Sequence, residues 1–331
     1  MYKIEALRSN QIEELADFMA SSGFLWDDIT LLKYLTEVLS SQIEDNVVVT
    51  YNGDIVGCNL YLRTLATIKG EIRSISWSHS TYLAPEHRRY IGMQFFVTSC
   101  TKENIWGFGL TEINRRIHKL NDSIFCGESR AYILTLPTTL TKGICLDYIG
   151  AELNINYDFP NIFVIDDRTF TRCFCSEDHK VPGNGFWNPS VLNADFVRDQ
   201  NFIRKRFYDY PNGYFVYNVR RESSYDELYF VFKIRTVNGL PTIFLVDYRF
   251  KLSNLHGFAA ILNSLCYIAS INSIDKIYFF TTLPSQYIAS KYGTISSYGS
   301  KSDIVTNTYG MTENSFLMVT PADADCELIP F

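Results

Sequence analysis

Short runs of β-branched and aromatic residues, broken by turn residues, dominate residues 1–140 and predict strands at Asn46–Tyr51, Ile55–Arg63 and Ile72–Leu83. Asn52-Gly53 joins the first two as a hairpin, because a type I′ turn needs positive φ at both central positions. The third strand runs through a basic turn into an apolar helix of about ten residues from Gly92. Ile105–Phe108 is a short apolar strand, Thr111 is placed to cap a helix through about Leu120, and Ala131–Leu136 is a further strand. Upstream, Asn10 with Glu13 three residues on predicts a capped helix bearing Ile12, Leu15, Ala16 and Met19 on one face.

The pattern returns in residues 201–331. Tyr214–Val219 and Leu228–Val237 read as strands, Asn238-Gly239 as a second hairpin, and Thr242–Phe250 as a strand containing Asp247-Tyr248-Arg249. A helix with Phe258, Ile261, Leu262, Leu265 and Ile268 on one stripe follows, then a strand at Lys276–Thr281, a short helix around Gln286–Lys291 and a last strand at Ser315–Val319. Between the halves, 141–200 reads as an ordered connector, with a strand at Asn161–Asp166 and a turn-rich stretch at 180–189. The expected division is 1–140, 141–200 and 201–331.

The candidate chemistry starts at Ser80–Phe96. Amides at a helix start lack intrahelical partners and the helix dipole is positive there, so Arg88, Arg89 and the backbone around Gly92 are suited to phosphates; the alternative is a solvated basic loop. The order of elements, with this turn directly after the long central strand, resembles the acyl-CoA N-acyltransferase superfamily, GNAT, whose Arg/Gln-x-x-Gly-x-Gly/Ala turn cradles coenzyme A pyrophosphate. The best register here is Arg89-x-x-Gly92-x-Gln94, which lacks the last small residue. The resemblance implies an α/β (α+β) fold of two tandem GNAT-like units, each a mixed, mostly antiparallel sheet flanked by helices. It implies acyl-CoA as donor, held by Thr81, Tyr82, Leu83, Arg88, Arg89, Tyr90, Ile91, Gly92 and Met93, with Asn114 or His118 near the pantetheine or sulfur. The second unit lacks the phosphate turn and is expected to bind the acceptor.

A tandem chain with one intact and one degenerate unit resembles bacterial transferases that acylate nucleotide-linked amino sugars for surface polysaccharide, including lipopolysaccharide O-antigen; the segment Phe202–Pro211 and the Tyr-rich strand after it carry a second likeness to that group. Peptidoglycan aminoacyl transferases of tandem GNAT fold are the alternative, and a non-catalytic acyl-CoA or nucleotide-sugar binding protein is another. Amide formation needs a base, and His79, on the central strand, is the candidate, with Glu71 and Asp247 in reserve; a His on a central strand can equally be a hydrogen-bonded core residue. Trp77, Trp187, Asp247, Tyr248 and Arg249 are the candidate acceptor contacts. Trp187 can instead plug the seam between units, and Asp247 and Arg249 can instead form an internal ion pair.

The net charge of −6 argues against nucleic acid as the main partner. The longest nearly apolar run, Phe258–Ile271, is too short to span a bilayer, and no secretory signal opens the chain, so the expected location is cytoplasmic. Eight dispersed cysteines read as free thiols. Cys173-Phe174-Cys175 with His179 offers three metal ligands but no identified fourth, so two buried thiols beside a loop are expected rather than a metal.

Overall fold

A computed structural model describes residues 1–22, 40–100, 103–108, 112–137, 157–179, 194–209, 213–221, 224–237, 239–250, 256–313 and 318–323. The first half contributes β1 (Tyr2–Ala6), α1 (Ile12–Ser21), β2 (Val47–Tyr51), β3 (Asp54–Ile68), β4 (Glu71–Leu83), α2 (Arg88–Cys100), β5 (Ile105–Phe108), α3 (Glu112–Leu120) and β6 (Ile124–Thr135). Next come β7 (Ile162–Ile165), β8 (Arg168–Cys173), β9 (Ala194–Phe196) and the short α4 (Gln200–Ile203). The second half adds β10 (Phe215–Arg221), β11 (Ser224–Val237), β12 (Leu240–Arg249), α5 (His256–Ile271), β13 (Lys276–Thr281) and β14 (Thr294–Thr306).

One sheet joins them in the order β1-β2-β3-β4-β5-β14-β6-β13-β12-β11-β10-β8-β7, with β9 paired to β3 off that path. The stretch expected as a connector therefore extends the sheet at both halves. Pairing is antiparallel except at β4–β5 and β12–β13. This is a mixed, mostly antiparallel α/β architecture. The Asn52-Gly53 turn has φ of 56° and 108°, as its hairpin requires.

Each parallel pair is brief. β4 meets β5 at Ser76 opposite Ile105 and Trp77 opposite Trp106, and β12 meets β13 at Ile243 opposite Ile277 and Phe244 opposite Tyr278. Beyond those registers the strands part. Each long strand then carries a register shift just past the parting. Against β3, Asn59 faces Thr81 but Tyr61 faces Ser78, so His79 and Ser80 together oppose Leu60. Against β11, Val231 faces Asp247 but Phe232 faces Leu245, so Val246 is the extra residue. The two halves thus repeat a parting and a bulge at matching places.

The centre of the sheet is shared. β14, from the second half, lies between β5 and β6, while β6, from the first half, lies between β14 and β13. Trp77, Trp106, Phe196, Cys126, Ile304, Phe280, Met311 and Val319 form one core cluster across the halves. A larger cluster packs α5 on the second half, with Phe258, Ile261, Leu262, Leu265 and Ile268 all buried, as the stripe predicts. Among the described residues no helix is long and apolar enough to cross a membrane.

Three sequence expectations change. Asn10 does not cap α1; it lies in a 3-10 turn, Ser9–Gln11, where the Arg8 N–H donates to Gln11 Oε1 at 3.1 Å, and α1 begins at Ile12. Gln286–Lys291 is not a helix beyond a single 3-10 turn, Ser285–Tyr287. The strand expected at Ser315–Val319 falls partly on residues outside those described, and Met318–Val319 are not in a strand. Among the described residues the last strand is β14.

Candidate functional site

The bulge in β4 has a side-chain signature. In a regular strand, residues three apart face opposite sides of the sheet. Here both the Ser78 and Thr81 hydroxyls donate to Asn59 Oδ1, at 3.0 and 2.9 Å, because the extra residue returns them to one side. Asn59 Nδ2 donates to Tyr61 Oη at 2.8 Å, and that hydroxyl donates to the Ser99 carbonyl of α2 at 3.0 Å. A buried polar chain therefore ties the bulge to the helix after it. Sequence reading missed Asn59, Tyr61 and Ser78, since their roles exist only once β3 and β4 are in register. His79 sits at the bulge by backbone; its side chain lies outside the described residues.

The turn after β4 differs from the expected cradle. Pro85–His87 form a 3-10 turn that runs straight into α2. The His87 N–H donates to the Ala84 carbonyl and the Arg88 N–H to that of Pro85, so these amides are occupied. Gly92 lies inside α2, where an added Cβ would meet only Leu83 Cδ2 at 3.7 Å and Arg88 Cβ at 3.8 Å, ordinary contacts. No protein neighbour among the described residues requires a glycine at position 92. What remains for an anion is charge: Arg88 and Arg89 are exposed at the positive end of a 13-residue helix. Arg88 Nε donates to the Leu83 carbonyl at 2.8 Å and its guanidinium lies 5.7 Å from the Tyr82 ring, while Arg89 lies 4.4 Å from the Tyr90 ring. Tyr90 and Met93 are exposed, whereas Ile91 and Leu83 are core residues.

The matching place in the second half is filled. Tyr248, at the parted end of β12, donates its hydroxyl to Thr281 Oγ1 of β13 at 2.6 Å, bridging the gap. Phe250, Phe258 and Phe279 pack around it, with Tyr248–Phe258 and Phe258–Phe279 centroids 4.8 and 5.7 Å apart. A Cβ on Gly257 would meet the Phe250 side chain at 2.9 Å, so α5 is seated directly on the end of β12. Among the described residues this aromatic plug fills the space between the ends of β12 and β13.

Asp247 and Arg249 form an internal ion network. The fully buried Asp247 carboxylate accepts from Arg198 Nε at 2.9 Å and Nη2 at 3.1 Å, Tyr229 Oη at 2.7 Å, Thr320 Oγ1 at 2.6 Å and Arg249 Nη1 at 3.1 Å. Burial works to raise its pKa, but the two guanidiniums outweigh it and hold the group below the usual carboxylate range. Asp195 Oδ1 lies 3.5 Å from Arg249 Nη2. His179, 3% exposed, stands edge-on to Tyr229 at 4.7 Å, and burial pushes its pKa down to about 4. Asp247, Tyr248 and Arg249 thus face the interior rather than an open acceptor cleft.

The remaining candidates scatter. Glu71 is exposed, paired with Arg73 at 2.7 Å, and eight residues before His79, which at the usual strand rise is roughly 27 Å away. Trp77 is core, 5.8 Å from Trp106 and 5.5 Å from Phe196. His118 Nδ1 lies 3.2 Å from Ser123 Oγ, a contact local to the end of α3, and burial lowers its pKa. The side chain of Asn114 and the whole of Trp187 lie outside the described residues. Cys173 is buried and Cys175 exposed, and the described residues hold no cluster of three or more metal-ligating side chains.

No protein-family model matches the chain, and no curated protein matches it. Solved structures do. A probable N-acyltransferase from Enterococcus faecalis, described as a conserved protein of unknown function, aligns with a TM-score of 0.56 at 9% identity, over 95% of this chain and 73% of that one. A GCN5-related N-acetyltransferase from Anabaena variabilis aligns at 0.54 and 11% identity, over 92% and 72%. Saccharomyces cerevisiae N-myristoyltransferase, solved with bound myristoyl-CoA and inhibitors, aligns at 0.53 and 10% identity, over 95% and 83%. At such identities the likeness is one of fold, and the fold of this chain is that of the GCN5-related N-acetyltransferases.

Proposed function

We propose that the chain is an acyl-CoA-dependent N-acyltransferase that takes its donor in the parting between β4 and β5. The observation that carries this is an asymmetry. Both halves have a parting and a bulge, but only the first has two arginines at the following helix start, and only the second is plugged by aromatics. The structural neighbours add support, since one was solved with myristoyl-CoA bound.

In this reading the acceptor amine loses its proton to His79 and attacks the thioester carbonyl. A backbone N–H of the bulged strand stabilises the oxyanion, a contribution worth about 3–4 kcal/mol in comparable sites. The tetrahedral intermediate collapses to an amide and releases the coenzyme A thiolate, which takes up a proton. The acceptor is the amine of a nucleotide-linked amino sugar in cytoplasmic surface-polysaccharide synthesis; 1–140 holds the donor, 201–331 contributes to the acceptor site, and 141–200 links them.

Coenzyme A at 100 times its Kd should stabilise the protein by about 2.7 kcal/mol. Incubation with acetyl-CoA and a panel of nucleotide amino sugars should release free thiol in step with acylated sugar. Absence of any coenzyme A stabilisation would remove the donor assignment. A second reading, a scaffold that binds without catalysis, draws on the occupied amides of the Pro85–Arg88 turn; binding without thiol release would select it.

A further inference from the structure

The parallel partners β5 and β13 end near the same level of β6. Ile304 pairs with both Phe108, the last residue of β5, and Gly127, while Thr281, the last of β13, pairs with Arg130. There the central ladder loosens twice. β14 pairs Tyr298 with Ala131 and Ser302 with Ser129, so Gly299–Lys301 stand against Arg130 alone, and β6 carries an extra residue at Cys126. Gly299, with φ of 69°, makes the first deviation possible. The result is a cavity of about 500 Å³ bounded by β6, β14 and the chain leaving β13.

Its lining mixes apolar residues, among them Tyr132, Leu283 and Ile304, with charged and hydroxyl side chains. Lys301 is neutralised by an ion pair with Glu128. Cys126 donates its thiol to the Ile304 carbonyl, and burial pushes its pKa up to about 12, so it stays protonated. Arg130 is half-buried, and among the described residues it makes neither an ion pair nor a side-chain hydrogen bond. Ser285 also lines the cavity and Glu313 stands exposed at its rim, while the hydroxyls of Ser129 and Thr281 are engaged with the Ser302 carbonyl and the Tyr248 hydroxyl. A partly desolvated guanidinium without a counter-ion is a standing demand for an oxyanion, which its planar fork binds in bidentate fashion.

We propose that this central cavity binds an oxyanion, phosphate or carboxylate, carried by the amine acceptor, with Arg130 as its anchor and Glu313 beside the incoming ammonium. The proposal rests on the acyltransferase reading for the word acceptor, but not for the anion site itself. It deepens that reading by assigning the acceptor to a place made jointly by β6 and β14, away from Asp247.

The test is calorimetric titration of the full chain with uridine diphosphate and pyrophosphate as phosphate probes and with succinate and D-alanine as carboxylate probes. One class should bind, and which one identifies the group. Arg130→Gln should weaken that probe at least tenfold and Arg130→Lys less, with Lys291→Gln, at a distant exposed ion pair, unchanged. Equal affinity in wild type and Arg130→Gln, or no binding of any probe to the wild type, would overturn the site. Coenzyme A is titrated separately. A protein that holds the anion through Arg130 but ignores coenzyme A supports the anchor and refutes the donor assignment.

Discussion

Replacing Asp247 by Asn should destabilise the protein without touching donor binding. The substitution keeps the shape but removes the charge that Arg198 and Arg249 share, and the Asp195 carboxylate, 3.5 Å from Arg249, does not replace it. Breaking a buried pair in this way costs about 3–5 kcal/mol, because the abandoned cations keep their desolvation cost. With an m value of about 3 kcal/mol/M the urea midpoint falls by roughly 1–2 M. Replacing Asp247, Arg198 and Arg249 together by apolar residues of similar volume should recover much of the loss, since the desolvation cost goes with the charges. The assay is equilibrium urea unfolding of the three proteins by fluorescence and circular dichroism. If Asp247→Asn unfolds within 1 kcal/mol of wild type, the network is not structural. If that variant is also folded and inactive, Asp247 returns as a catalytic candidate.

Other expectations follow from particular contacts. Gly92→Ala should be neutral or stabilising by up to about 1 kcal/mol, as a helical position with room for a Cβ. Gly57→Ala, whose Cβ would meet Leu83 Cδ1 at 2.7 Å and Tyr82 O at 3.0 Å, should cost about 1–3 kcal/mol and weaken coenzyme A binding by moving the end of β4; thermal melts with and without coenzyme A separate the two. His79→Ala should lower kcat by roughly 10²-fold and leave the coenzyme A Kd unchanged, and a folded variant with normal turnover would clear His79 of the role. His179 binds its proton more weakly folded, near pH 4, than unfolded, near 6.5, so stability is full above 6.5 and falls as pH drops towards 4. The loss from that group is about 3 kcal/mol, and His179→Phe should flatten the pH dependence of the urea midpoint across that window.

Much of the fold is legible because its burial is one-sided and local. Val47–Tyr51 with Asn52-Gly53, the α5 stripe and Lys276–Thr281 announce themselves by composition. β14 does not. Thr294–Thr306 is Ser- and Thr-rich, interrupted by Gly299, and mostly exposed until Ile304–Thr306, so it carries no apolar alternation. It is held by backbone ladders on both edges, from β5 and β6, and a ladder leaves no side-chain pattern. The same applies to Ile124–Arg130, the polar half of β6, which the apolar run Ala131–Leu136 leaves unannounced. At the site, the sequence points to β4, its helix and its arginines. It cannot show the bulge, which is a relation between β3 and β4, nor the burial of Asp247, whose partners Arg198, Tyr229 and Thr320 come from separate segments.

The shared centre of the sheet sets a last expectation, for a fragment of residues 1–140. Cut there, β5 loses β14, and β6 loses both neighbours. Trp106 Nε1 loses Thr308 Oγ1 at 2.9 Å, and the Ile105 N–H loses Asn307 Oδ1 at 2.8 Å. Trp77 and Trp106 lose Phe196, Phe280, Ile304, Met311 and Val319 from their shared cluster. Each Trp carries roughly 150–250 Å² of surface, worth several kcal/mol at about 25 cal/mol per Å², and the bare edges of β5 and β6 are templates for association. The fragment should therefore aggregate or stay unfolded, while adding 201–331 in trans should rescue a soluble complex only if β14 can dock between β5 and β6. Size-exclusion chromatography and tryptophan emission read both results. A monomeric, folded 1–140 fragment with blue-shifted emission would mean that the first half closes its own core, and that the interleaved strands are a junction between independent units rather than the element that makes them one.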